Sequence, residues 1–126
     1  MRALVIEDSS TIRIILCRYL QKMNIKVTEA VDGQVALVRL KAMPPPDVIL
    51  VDWNMPVMNG IDFVRELRRM PVYDLTPVIM ITTNSEGVYL STALEAGATE
   101  YIQKPCTYDV LREKLDQMGI LNITAH

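Results

Sequence analysis

The chain has 126 residues, half of them apolar and 22% charged, with a formal net charge of -2. This is the size and composition of one globular domain able to bury its own core, which argues against disorder. Its apolar runs reach four residues at most, whereas a membrane span needs about 20.

No Lys/Arg cluster marks a nucleic-acid or membrane-surface patch, and the first residues turn acidic too soon for a secretory leader. Cys17 and Cys106 fit no CxxC pattern and read as reduced thiols in or near the core of a cytoplasmic protein. The single histidine is His126. That argues against a His-assisted nucleophile, a His-containing metal cluster and a phosphohistidine carrier.

One pattern recurs along the chain: a short apolar run, a turn, then a helical stretch. The first run is Ala3–Ile6. Ile12, Ile15, Leu16, Tyr19, Leu20 and Met23 then follow helical spacing behind a cap at Ser9 or Ser10. Val27–Ala30 comes next. A helix follows Asp32-Gly33, carries Val35, Ala36, Leu40 and Met43, and must stop before Pro44-Pro45-Pro46. Val48–Val51 leads to a helix from about Gly60 to Arg69, and Val78–Ile81 to one from about Ser85 to Ala96. Tyr101-Ile102 leads to a last helix from about Tyr108 to Met118. Gly97 and Gly119 stand where left-handed helix ends are wanted. The middle runs are apolar on both faces, which suits parallel strands covered by helices on each side. The sum is a single α/β domain over residues 1–126, a doubly wound (βα)5 fold with a five-stranded parallel sheet.

In such sheets ligands bind beyond the carboxyl ends of the strands. Those ends carry Glu7 and Asp8, then Asp52, then Thr82 and Thr83, then Lys104-Pro105. Taken singly, each is an ordinary cap or turn residue. Together they bring three carboxylates, a hydroxyl and an ammonium to one rim. Three neighbouring carboxylates repel, so either one keeps its proton or a cation neutralises them. With no histidine or suitable cysteine at hand, a hard, oxygen-seeking cation such as Mg2+ fits best. A carboxylate beside Mg2+ and a lysine can attack phosphorus and form an aspartyl phosphate.

The stretches Glu7-Asp8-Ser9-Ser10, Val51-Asp52-Trp53-Asn54-Met55-Pro56, Gly60, Ile81-Thr82, Gly97-Ala98 and Tyr101-Ile102-Gln103-Lys104-Pro105 resemble the receiver domain of two-component response regulators, CheY-like and of the single-domain type. The resemblance implies a flavodoxin-like sheet with strand order 2-1-3-4-5. It implies that Asp52 is the phosphoacceptor for a sensor histidine kinase. Asp8 would hold Mg2+ directly, Glu7 through water, and Asn54 through its backbone carbonyl. Lys104 would pair with the phosphoryl group, with a cis bond to Pro105. Thr82 and Tyr101 would form a switch that reshapes the face made by helix four, strand five and helix five for a downstream protein, as in a chemotaxis regulator. On this reading the chain is a phosphoacceptor rather than an enzyme, without direct nucleic-acid contact or membrane insertion.

Two departures matter. Thr83 stands where receivers usually carry a small residue, and Asn54 and Asn84 stand two beyond the acceptor and the switch threonine. With no acid at 84 to order a water, dephosphorylation is expected to be moderate or slow. Residues 85–118 carry six acids and three bases, so the output face is not basic. Three other readings compete. One is the isolated receiver of a longer DNA-binding or enzymatic regulator or hybrid kinase. A flavodoxin-like FMN carrier would need a Ser/Thr/Gly-rich phosphate loop where Glu7-Asp8 stands. An aspartyl phosphatase would need Asp-x-Asp after its first strand.

Overall fold

The computed structural model describes residues 1–83 and 87–121, with 87–89 by their backbone alone. Asn84, Ser85, Glu86 and the tail 122–126 lie outside the described residues. The order is β1 (Arg2–Ile6), α1 (Ser10–Lys22), β2 (Lys26–Ala30), α2 (Gly33–Lys41), β3 (Val48–Asp52), α3 (Gly60–Arg68), β4 (Val78–Thr82), α4 (Gly87–Ala96), β5 (Glu100–Gln103) and α5 (Tyr108–Gln117), with one 3-10 turn at Pro71–Tyr73. The strands pair in parallel in the order β2-β1-β3-β4-β5.

Strand side chains alternate between the two faces of the sheet. Leu4, Ile6, Ile49, Val51, Val78 and Met80 join one core with Phe63, Val64 and Leu67 of α3 and Ala93 and Ala96 of α4. Val5, Leu50, Ile79 and Ile81 join the other with Leu16 and Leu20 of α1 and Leu111 and Leu115 of α5. Every residue of β3 and β4 is buried, which explains the four-residue apolar run that opens each, ahead of the polar Asp52 and Thr82 at their carboxyl ends. Each such aliphatic side chain contributes about 1.5–3 kcal/mol on burial.

Caps set the helix starts. Ser9 accepts from Ile12 N, Asp32 from Val35 N, Asn59 from Asp62 N and Thr107 from Val110 N. Gly97 and Gly119 have φ of 115° and 75°, the left-handed backbone expected of them. Cys17 is a buried free thiol, as expected. Two expectations change. Ile15 is 40% exposed, because the covered face of α1 runs through Leu16, Cys17 and Leu20 and leaves Ile15 in a groove against the segment 104–107. Met43 lies beyond α2, since proline at 44 keeps the residue before it out of helical backbone.

Candidate functional site

The sheet topology assembles the site. The chain leaves β1 outward to β2 and returns to β3 on the other side, so a crevice opens where β1 and β3 lie side by side. Ile6 is paired with Val51, so Glu7 and Asp52, the next residues, stand together. Glu7 is 1% and Asp52 4% exposed, whereas Asp8 is exposed. One carboxylate oxygen from each of the three lies within 4.8 Å of the others. Glu7 Oε2 also accepts from the Ser9 N–H at 3.2 Å.

Lys104 arrives from the far side. Its N–H donates to the Thr82 carbonyl at 2.7 Å, extending the β4–β5 ladder by one residue. Its Nζ then lies 2.9 Å from Asp52 Oδ1 and 3.4 Å from Glu7 Oε1. The Lys104–Pro105 bond is cis. Thr82 closes β4 and is buried; Thr83 beside it is exposed. Tyr101 sits half-buried on the edge strand β5, opposite Met80, and packs on the core under α4. Asn54 is exposed in the loop after Asp52. That loop is closed by Gly60, whose N–H donates to the Trp53 carbonyl at 2.9 Å. A Cβ on Gly60 would strike the Asp52 carbonyl oxygen, so glycine lets α3 begin against the end of β3.

The electrostatics follow from this crowding. Burial, then the Asp52 charge, pushes the Glu7 carboxyl up to about 7, against the lowering effects of the Ser9 N–H and Lys104. Burial also works against the Lys104 ammonium, but the hydrogen bond and charge of Asp52, with Glu7 behind them, hold it above the usual lysine value. Lys104 serves mainly the nearer Asp52, and one ammonium does not balance three acids. A divalent ion would. The donor set offers only oxygens, which suits Mg2+ and not a soft metal.

Sequence reasoning overlooked one participant. Arg13, in the first turn of α1, donates from Nη1 to the Glu7 carbonyl at 2.8 Å and pairs through Nε with Glu29 Oε1 at 3.1 Å. Only an assembled sheet end brings position 13 to 7 and 29, and no motif announces it. Beside Lys104 an apolar groove of about 480 Å³ runs between α1 and the segment 104–107, lined by Ile12, Ile15, Tyr19 and Cys106 among others. It holds none of the three acids, so it flanks the acidic crevice and is not part of it.

A doubly wound sheet with acids and a lysine at its switch point defines a phosphoryl-accepting receiver, and a family model for the response regulator receiver domain matches residues 3–116. The chain belongs to that family and is a CheY-like response regulator of two-component signal transduction. It is 43% identical over 117 residues to the chemotaxis protein CheY1 of Helicobacter pylori, covering 92% of this chain and 94% of that one. Among solved structures, CheY4 of Vibrio cholerae superposes with a TM-score of 0.87 at 34% identity, covering 92% of this chain and 96% of that one. The receiver domain of a Pseudomonas aeruginosa sensor histidine kinase, described with a magnesium ion coordinated in its active site cleft, gives 0.82 at 28% identity, covering 92% and 94%.

Proposed function

We propose that Asp52 takes a phosphoryl group from a phosphohistidine of a sensor kinase, and that this chain, as a single receiver domain, passes the signal to a downstream protein by contact. The observation that carries this is the Lys104 ammonium 2.9 Å from Asp52 Oδ1 at the edge of a three-carboxylate cluster. An Asp52 oxygen attacks phosphorus. The P–N bond breaks, its electron pair returns to the imidazole, and water supplies the proton that nitrogen gains. The product is an acyl phosphate on Asp52.

Glu7, Asp8, Asp52 and the Asn54 backbone carbonyl would hold Mg2+, which supplies positive charge against the acids and the phosphoryl oxygens. Lys104 moves its ion pair from the carboxylate to the new phosphoryl oxygens. The Thr82 hydroxyl donates to another of them. Phosphorylation adds nearly two negative charges and three acceptors to a buried rim, so the groups around it must rearrange. Thr82 turns toward the phosphoryl group and Tyr101, three residues from Lys104, turns inward. The face of α4, β5 and α5 changes as a two-state element.

The relatives' names support a chemotactic role. The acidic balance of residues 85–118 favours a downstream partner whose docking surface is not itself acidic. Thr83 and the missing acid at 84 support a moderate or slow loss of the phosphoryl group.

The test is labelling with acetyl phosphate. Wild type is expected to take up one phosphoryl group per chain only with Mg2+, and Asp52→Asn to take up none. Retained labelling in the variant would move the acceptor elsewhere, and continuous turnover of phosphomonoesters would make the protein a phosphatase.

A further inference from the structure

Arg13 touches the acidic loop without belonging to the reactive groups. Its side chain is 16% exposed. Nε is paired with Glu29 at the end of β2, while Nη1 holds the Glu7 carbonyl. Glu29 is braced in turn, since its own carbonyl accepts from Arg39 Nε at 3.0 Å. The other side of Glu7 is tied to the same strand, its N–H donating to the Ala30 carbonyl at 3.0 Å. Glu7 is therefore held by its N–H from β2 and by its carbonyl, the oxygen of the peptide that leads to Asp8, from Arg13 of α1. A guanidinium suits this task. Its donors form a rigid planar fork that can grip a carboxylate and a carbonyl together, which a single ammonium cannot do with the same spacing.

We infer that Arg13 is a positioning residue: braced on Glu29, it fixes the Glu7–Asp8 peptide so that the two carboxylates stand ready for a divalent cation. This rests on the reading of the site as a Mg2+ centre. The charge of Arg13 acts in the opposite sense, because a cation beside three acids repels a second cation. Position and charge therefore predict different outcomes.

Mg2+ is titrated into wild type, Arg13→Gln and Arg13→Lys, followed by the fluorescence of Trp53, the single tryptophan and the neighbour of Asp52. Positioning predicts Mg2+ binding about tenfold weaker in both variants, the usual scale for losing a group that orients a metal ligand. It also predicts that acetyl phosphate labelling returns to the wild-type rate at saturating Mg2+. Charge alone predicts tighter binding for Arg13→Gln and no change for Arg13→Lys, and either result overturns the inference. So does labelling that stays depressed at saturating Mg2+, the mark of general damage to the fold. If circular dichroism shows Arg13→Gln unfolded, Arg13→Lys decides alone. A wild type whose fluorescence and thermal unfolding both ignore Mg2+ would sink the reading of the site, and this inference with it.

Discussion

Glu7 shows how a buried site stores electrostatic tension in one side chain. Its carboxyl titrates at about 7 against an ordinary 4.5, first because it is buried and next because Asp52 is charged beside it. Between those values the folded protein keeps a proton that the unfolded chain has lost, so stability falls as pH rises. The contribution is fully present below about pH 4.5 and is lost as pH rises through about 7. With a chelator present, the melting temperature of wild type should therefore fall more steeply from pH 5 to 8 than that of Glu7→Gln. Parallel curves would contradict this. Sequence reading brought Glu7, Asp8 and Asp52 together from strand ends alone, but it had no way to see that Glu7 and Asp52 are buried while Asp8 is exposed. That difference comes from β1 and β3 being central strands with helices over both faces.

At the scale of elements, strands were read through apolar runs and helices through caps and breakers. Ser9, Asp32 and the proline triplet mark their boundaries by local chemistry that needs no tertiary partner. Asn59 and Thr107 cap α3 and α5 but escaped notice, because a lone Asn or Thr before a helix also reads as a plain loop residue. The loop between β3 and α3 holds a strain that no pattern reveals. Val57 is 82% exposed and has φ 68°. The Met58 N–H donates back to the Pro56 carbonyl at 2.7 Å, closing a γ-turn of the rare, strained kind on Val57; such backbone costs a residue with a Cβ about 1–3 kcal/mol, whereas glycine meets no steric penalty at positive φ. Since the exposed Val57 side chain has little burial to lose, Val57→Gly should stabilise the fold by about 1 kcal/mol, the relief of strain outweighing the added freedom of the unfolded chain. Urea denaturation measures this; an unchanged or lower midpoint would show that the loop does not carry the strain.

At the scale of the whole molecule, the acidic crevice is a local liability that the rest of the fold sustains. Two cores, one on each face of the sheet, hold the strand ends in place while like charges push them apart. A cation that binds only the folded arrangement should relieve that repulsion and raise stability, by about 2.7 kcal/mol when it is present at 100 times its dissociation constant. Mg2+ is thus expected to raise the melting temperature of wild type, and Asp8→Asn to lose most of that rise. An equal rise in the variant would place the cation elsewhere. No described helix is long and apolar enough to cross a membrane, in line with the short apolar runs.

Element order, the parallel sheet and the rim of acids and lysine were determined by the sequence itself. Hydrophobic period, capping and chain reversal act over a few residues, and topology rules then leave few arrangements open. The tertiary structure alone decided how the apolar face of α1 was covered, so that Ile15 is left in a groove. It also decided how Lys104 divides its charge between Asp52 and Glu7, and that Arg13 and Glu29 meet at the Glu7 peptide. Those outcomes depend on distances between residues far apart in the chain, which exist only once the sheet has closed its register and the helices have packed upon it.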